Sequence, residues 1–472
     1  MTHLNLPEPD KESLPNMSSC DAPIIVIGGG LAGCEAAWQL LKHDINVTLY
    51  EMKPLCFSPA HKSPYLAELV CSNSLRSNAI ENAVGLLKEE MRMMGSLIME
   101  AADATAVPAG KALAVNRTDF SRYIEEKLLA RRNLEIIREE IPDIPGNKAV
   151  VIATGPLTSD ALARSIGTVT GSDYLYFYDA ISPIIAGDSI DHNRVFRASR
   201  YENDAGDYLN CPLEKDEYEH FWKALTEGKE TLLKPFEEAR FFSGCLPVEI
   251  MARSGVSTLA YGPMKPVGLI NPKTGRQPYA VVQLRQEDKD GILFNMVGFQ
   301  TKLTWPEQGR IFRMIPGLEN AEFARYGSIH RNTFINAPVL LEKTLQLKSH
   351  HHIFFAGQIT GVEGYVESAA MGLAAGLSVA SYLKGEEITP FPEETALGSL
   401  IHHITRPDHR DFQPMNVNFG LFPPLPMKVP KRERGHHYAL RSLDALKIWK
   451  LSTSGSDELV RSPKIPALSF RT

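Results

Sequence analysis

Residues 23–33 read Pro23-Ile-Ile-Val-Ile-Gly28-Gly29-Gly30-Leu31-Ala32-Gly33, and this stretch decides the fold. A run of aliphatic, mostly β-branched residues enters Gly28-x-Gly30-x-x-Gly33 directly. Behind it Ala36, Ala37, Leu40 and Leu41 recur at helical spacing, and a second strand-like run, Ile45 to Tyr50, ends in Glu51. That order is the one a dinucleotide-binding βαβ unit needs. The first glycine permits the tight turn, the second lets backbone approach a pyrophosphate, and the third packs helix on strand. The helix start then offers N–H groups and a partial positive charge to phosphates. Glu51 follows Gly33 at the distance where a carboxylate can receive ribose hydroxyls, with Met52 beside it.

Working outward, Ala149-Val-Val-Ile-Ala153-Thr154-Gly155 is a buried strand running into a small-residue turn. Ile353-Phe-Phe-Ala-Gly357-Gln358 repeats the idea and leads through Gly361 and Gly364-Tyr365 into a helix of Ser, Ala and Gly. A helix of such small residues lets its N-terminus lie against a flat ring, where its dipole stabilises negative charge on a reduced flavin. Together with the opening fingerprint this makes the dinucleotide FAD. No second glycine fingerprint is present for a resident nicotinamide nucleotide. The fold expected is α/β, a Rossmann-like FAD-binding domain with an inserted α+β substrate domain. Residues 1–22 read as a disordered leader, 23–185 and 330–452 as the two parts of the FAD-binding domain, 186–329 as the insertion, and 453–472 as a flexible tail.

Smaller readings follow. Residues 82–101 pattern as one helix, a second runs from about Asp119 to Arg132 with Thr118 as its cap, and Lys215 to Glu238 patterns as a charged helix. Arg117 either reaches a cofactor phosphate or is a solvated arginine at a helix start.

The composition excludes several classes. A hydrophobic content of 43% and a charged content of 22% describe an ordinary globular protein. A net charge of −6 confines any nucleic-acid contact to a local patch. Lys428, Lys431, Arg432 and Arg434, followed by His436 and His437, form one basic cluster, either a solvated turn or an RNA-facing surface. No long apolar run suggests a membrane span, and the N-terminus lacks the basic start and apolar block of a secretory signal. Six cysteines without a CxxC pair or zinc spacing imply no metal site and a reducing, cytoplasmic setting. Of these, Gly244-Cys245-Leu-Pro247 places a thiol on an irregular loop, where it is either a nucleophile or buried filler.

Several separate motifs resemble the folate- and FAD-dependent tRNA (uracil-5-)-methyltransferases. They include Gly28–Gly33 with Glu35-Ala-Ala-Trp38, Tyr50-Glu-Met52, Pro59-Ala-His61, and Ala67-Glu-Leu-Val-Cys71-Ser-Asn-Ser-Leu-Arg76-Ser-Asn78. Ala114-Val-Asn-Arg117-Thr-Asp119, Gly244–Pro247, Gly262-Pro-Met-Lys-Pro-Val-Gly268 and Gly357–Tyr365 complete the set. The resemblance covers residues 23 to about 450. It implies a methylation of C5 of the T-loop uridine, position 54, of tRNA. Electrons come from NADPH or NADH by way of FAD, and the carbon comes from 5,10-methylenetetrahydrofolate. It further implies that Cys245 attacks the uracil ring and that Cys71 works beside the flavin; Cys211, in Asn210-Cys-Pro212, also fits a family pattern but reads as structural. Rival readings are the same chemistry on ribosomal RNA, the larger wobble-uridine flavoprotein, a small-molecule flavin oxidoreductase, and a non-enzymatic RNA binder. The second needs an additional C-terminal helical domain that this length does not hold.

Overall fold

The computed structural model describes residues 22–146, 148–171, 175–200, 206–231, 246–288, 290–407 and 412–453. Cys245 and Cys20, the leader up to Asp21 and the tail from 454 lie outside the described residues.

The opening fingerprint folds as its pattern predicts. Strand β1 (Ile24–Ile27) enters helix α1 (Leu31–Lys42), which returns to strand β2 (Val47–Tyr50). Strand β3 (Leu134–Ile137) pairs parallel with β2, and β4 (Val150–Ile152) pairs parallel with β1. Short β5 (Gln346–Leu347) forms an antiparallel edge on β6 (His350–Phe355), which pairs parallel with β4. The sheet order is thus β5-β6-β4-β1-β2-β3. Two strands from the far end of the chain close a sheet begun at its start. All four residues of β1 are buried, as a strand covered on both faces must be.

Helix α2 (Tyr365–Leu383) lies against α1 at very short range. Side chains larger than hydrogen are excluded there: a Cβ on Gly372 would collide with the Ala32 carbonyl, and one on Gly376 would lie 2.8 Å from the Ala36 carbonyl. This helix is long and apolar enough to cross a membrane, but most of it is buried in the larger of the two main cores. The small-residue composition is therefore a packing requirement of the two helices that flank the cleft.

A second sheet is antiparallel throughout, with strands Phe196–Arg197, Tyr208–Leu213, Ala280–Gln286, Leu293–Met296, Ile184–Ala186 and Phe323–Arg325 in spatial order. It has its own apolar core, around Tyr218, Phe221, Phe294, Phe299 and Phe312. Between the two sheets the chain crosses twice, along Leu175–Ile181 and Ser328–Phe334, and these segments pair with each other antiparallel.

Several local expectations change. Residues 82–101 form two helices, Ala83–Met93 and Leu97–Ala104, because Gly95 turns left-handed (φ 68°) and Ser96 caps the second by accepting from Met99 N–H at 3.2 Å. The next helix begins at Arg117 rather than Asp119, capped by Asn116, whose side chain accepts from Thr118 and Asp119 N–H. The charged helix stops at Glu227, at the Gly228 cap, short of the expected Glu238; residues 232–238 lie outside the described ones.

Candidate active site

The C-terminal ends of β1, β2, β4 and β6 open onto one cleft, with about 1110 Å³ of space between atoms, counted out to open solvent. In an open parallel sheet this is where ligands bind. Gly28 turns at φ 104°, and a Cβ there would come within 2.6 Å of the Ala153 carbonyl. Its N–H donates to Tyr50 O at 2.8 Å, tying the turn to β2. Gly29 N–H donates to one oxygen of buried Glu51 at 2.8 Å, and Lys53 N–H to the other at 2.9 Å. The Glu51 carboxylate is thereby fixed at the rim. Gly30 precedes α1, and a Cβ built on it meets nothing within 4 Å. The space in front of the helix start is kept open for a ligand, and the first N–H groups of α1, at Leu31 and Ala32, have no partner within the helix.

From the other side, Ala153, Thr154 and left-handed Gly155 line the cleft, as do Gly357, Gln358 and Tyr365. Gly357 (φ 83°) sits against the methyl of Ala32, where a Cβ would be 2.7 Å away. Gln358 donates to Glu363 at 2.6 Å. Gly364 (φ 115°) caps α2, so the helix N-terminus starts at the cleft wall with Tyr365. Of the sequence-predicted residues, Gly28, Gly29, Gly30, Leu31, Ala32, Glu51, Met52, Ala153, Thr154, Gly155, Gly357, Gln358 and Tyr365 line this space. Gly33 does not; its missing Cβ lets α1 pack on the Gly28 carbonyl. Gly364 acts as a cap behind the wall. The cleft also takes in His61 and Glu68, which lie in quoted motifs but carry no assigned role, and Glu139 and Glu140, which no motif contains. The last two follow β3, and the signal that could have found them is the rule that the ends of parallel strands line the crevice.

Arg117 is a correction. Its guanidinium donates to the carbonyls of Leu69 and Cys71 and pairs with buried Glu287, and it neither lines the cleft nor stands in solvent. The sequence held no sign of this, because Glu287 lies 170 positions away.

Arg117 belongs to a clamp around Cys71. Arg325 donates to Val70 O at 2.7 Å and to Cys71 O at 2.9 Å. Arg285 reaches Asn73 Oδ1 at 2.9 Å and Ser72 Oγ at 2.6 Å. Asn73 in turn donates to Val115 O and Gln286 O. From α2, the Tyr365 hydroxyl accepts from the N–H groups of Cys71 and Ser72. Burial pushes the Tyr365 phenol far above its ordinary pKa, so it stays protonated. Burial also lowers the Arg325 guanidinium, and the charge of Arg117 acts in the same direction. Cys71 is half-buried, and its neighbour Val70 lines the cleft. The antiparallel sheet, through Arg285 and Arg325, and two helices, through Arg117 and Tyr365, therefore hold the Cys71 segment at the edge of the dinucleotide cleft.

The remaining thiols divide clearly. Cys34 and Cys211 are fully buried, and burial raises both thiol pKa values, which removes the thiolate. Cys211 sits inside a central strand of the second sheet, and Cys34 donates to Gly29 O at 3.3 Å. Cys56 is exposed. On either side of the segment containing Cys245, Thr231 N–H donates to Lys302 O and Val248 N–H to Gln300 O. Lys428, Lys431, Arg432 and Arg434 stand exposed at the start of the helix Arg434–Thr453.

A parallel sheet with this glycine turn, acidic rim and second-helix N-terminus is a flavoprotein-type dinucleotide fold carrying an antiparallel insertion. The family model described as glucose inhibited division protein A (GidA) matches residues 23–387. A relative from Syntrophus aciditrophicus, "Methylenetetrahydrofolate--tRNA-(uracil-5-)-methyltransferase TrmFO", is 67% identical over 439 residues, 93% of this chain and 99% of the relative. One of the same name from Geobacter sp. (strain M21) is 58% identical over 427 residues, 90% of this chain and 98% of the relative. Among solved structures, Aquifex aeolicus GidA aligns with a TM-score of 0.64 at 17% identity, over 92% of this chain and 76% of that one, a likeness of fold. The chain belongs to the GidA family and, within it, to the methylenetetrahydrofolate–tRNA-(uracil-5-)-methyltransferases.

Proposed function

We propose that this protein methylates C5 of uridine 54 in the T-loop of tRNA, with 5,10-methylenetetrahydrofolate as carbon donor, FAD in the cleft and NADPH or NADH as reductant. The observation that carries the reading is the half-buried Cys71 segment, held by the antiparallel sheet and by Arg117 and Tyr365 at the edge of a dinucleotide cleft. The near-full-length identity to the tRNA (uracil-5-)-methyltransferases selects the reaction.

The residues present fit FAD. Open space in front of Gly30 and Gly155 and the free N–H groups of α1 suit a pyrophosphate, and fixed Glu51 suits ribose hydroxyls. The Gly357–Tyr365 turn and the positive end of α2 suit a ring that gains negative charge. When bound, FAD supplies the electrons and the one-carbon carriage that turning a methylene into a methyl requires. The chain does the rest. Addition of a Cys245 thiolate to uracil C6 makes C5 nucleophilic, a role supported by the Gly244-Cys245-Leu246-Pro247 motif. The clamped segment carries Cys71, which this reading assigns as the second thiol, working beside the cofactor. The target base leaves its stack to reach them, at a cost of a few kcal/mol. In this reading 23–185 and 330–452 hold FAD, 186–329 faces the RNA, and the protein works in the reducing cytoplasm.

The test is the flavin spectrum of the purified protein, followed by folate-dependent methyl transfer to tRNA and to ribosomal RNA transcripts. Yellow protein that methylates tRNA with NADPH or NADH is the expected result. Colourless protein, or transfer from S-adenosylmethionine in place of the folate, overturns it. Cys245→Ala and Cys71→Ala should each abolish transfer while retaining RNA binding.

A further inference from the structure

The 37 residues from Ile250 to Gln286 contain no Asp or Glu and five Lys or Arg, in a chain with 56 acidic residues among 472. All 37 are described. They form a turn-rich excursion that begins on the helix Val248–Arg253 and ends in the strand Ala280–Gln286. Of the five cations, Arg253 pairs with Glu230, Arg285 holds Ser72 and Asn73, and Lys265 is engaged within the fold as well. Lys273 and Arg276 are exposed; their backbone N–H groups donate to Asn271 Oδ1 and Thr274 Oγ1, while their charged ends meet no acceptor among the described residues. Both stand on one small turn, closed by Asn271 N–H to Arg276 O at 2.9 Å and Gly275 N–H to Asn271 O at 2.8 Å.

The same excursion exposes apolar surface. Tyr261 is 84% exposed, Ile270 55% and Val267 48%. The motif Gly262–Gly268 runs between them, anchored by Val281 N–H to Met264 O and by Arg200 to Pro263 O at 3.1 Å. Its inward residues Met264 and Leu269 are fully buried, so the outward ones stand on a fixed base. Charge of one sign interleaved with an exposed aromatic ring suits a polyanion with stackable bases, and a polyphosphate alone would not need the apolar face. The position fits as well. The excursion follows the Cys245 segment directly in the chain, and its last strand supports the Cys71 segment through Arg285.

We propose that this excursion, through Lys273, Arg276 and Tyr261, is the surface on which the substrate RNA docks, with the two cations on phosphates and the ring against an unstacked base. The proposal rests on the reading of the protein as an RNA methyltransferase. It assigns the docking to the insertion and not to the cluster at Lys428–Arg434.

The experiment compares wild type, Lys273→Gln/Arg276→Gln/Tyr261→Ala, and Lys428→Gln/Lys431→Gln/Arg432→Gln for binding and methylation of one tRNA transcript across a salt series. The first variant should raise the Kd and KM for tRNA about tenfold or more. Its slope of log K against log salt should fall by about two, one for each phosphate no longer neutralised. RNA-independent reduction of its flavin by NADPH or NADH should match wild type, which shows that the chain is folded. If the wild type methylates tRNA and this variant binds it as tightly, the surface assignment fails; loss confined to the Lys428 variant overturns it equally. If the variant keeps its RNA affinity and loses an acidic protein partner, the surface is a protein interface and the assignment is wrong. A wild type that neither binds nor methylates RNA defeats the functional reading itself, a result distinguishable from these.

Discussion

The Tyr365 hydroxyl accepts a 2.6 Å hydrogen bond from the backbone N–H of Cys71, 294 positions earlier in the chain, and a 3.2 Å bond from Ser72. One phenol thus links the N-terminus of α2, at the cleft wall, to the segment carrying a proposed catalytic thiol. Tyr365→Phe keeps the ring and its packing but removes the acceptor from two partly buried amides, at a cost of about 1 kcal/mol. The protein should remain folded and yellow, with methyl transfer slowed about tenfold or more because the Cys71 segment is less well placed. Single-turnover methylation alongside flavin absorbance checks this; full activity in the variant would remove Tyr365 from the positioning machinery.

Two glycines of one fingerprint should fail differently. A Cβ at Gly30 meets nothing in the protein, whereas one at Gly33 collides with the Gly28 carbonyl. Gly30→Ala should therefore unfold within about 1 kcal/mol of wild type yet lose dinucleotide affinity, because the methyl occupies the space the pyrophosphate needs. Gly33→Ala should lose about 1–3 kcal/mol of stability by overpacking α1 on the strand, and flavin affinity with it. Calorimetric melting of the stripped proteins, followed by flavin titration, separates the two; equal melting points would contradict the packing role of Gly33.

Arg117 supplies a third test, since sequence alone leaves it between phosphate ligand and solvated side chain. Arg117→Met strands the Glu287 carboxylate, only 4% exposed, and removes donors from two carbonyls. A loss of about 3–5 kcal/mol is expected from breaking one side of such a pair. Arg117→Met/Glu287→Met should recover much of that stability, and both variants should bind FAD with wild-type affinity. Weakened flavin binding in the double variant would restore the phosphate-ligand reading.

What could be read in advance followed from locality. The cleft turns at Gly28–Gly33, Ala153–Gly155 and Gly357–Tyr365 each declare themselves within about ten residues, because a strand, a glycine turn and a helix start are neighbours in the chain. The clamp on Cys71 does not. Arg117, Arg285, Arg325 and Tyr365 converge from four distant segments, and no short window of sequence contains two of them. Strand β3 is not legible either, since its four residues include solvent-facing Glu135 and carry too little pattern to stand out. Most of the insertion's strands are short as well, and their pairing depends on partners up to 141 residues away, as between Ile184 and Arg325.

Glu90 allows a prediction about pH. It is fully buried in the helix Ala83–Met93, and its oxygens accept from Ala396 N–H at 2.7 Å, Leu397 N–H at 2.9 Å and the Ser442 hydroxyl. One carboxylate thereby receives the start of the helix Ala396–Thr405 and touches the last described helix. Burial outweighs those hydrogen bonds and raises its pKa to about 7. A raised acid favours folding while it stays protonated. Its contribution is complete below the unfolded value of 4.5 and is lost as pH climbs through about 7. The stability of wild type relative to Glu90→Gln should therefore fall by on the order of 2–3 kcal/mol between pH 4.5 and 7 and then level off. Urea unfolding of both proteins at matched pH measures the difference directly, and other titrating groups cancel in it. A difference that is flat across that window, or that rises with pH, would show that Glu90 is ionised in the fold and that the helix start at Ala396 compensates its burial.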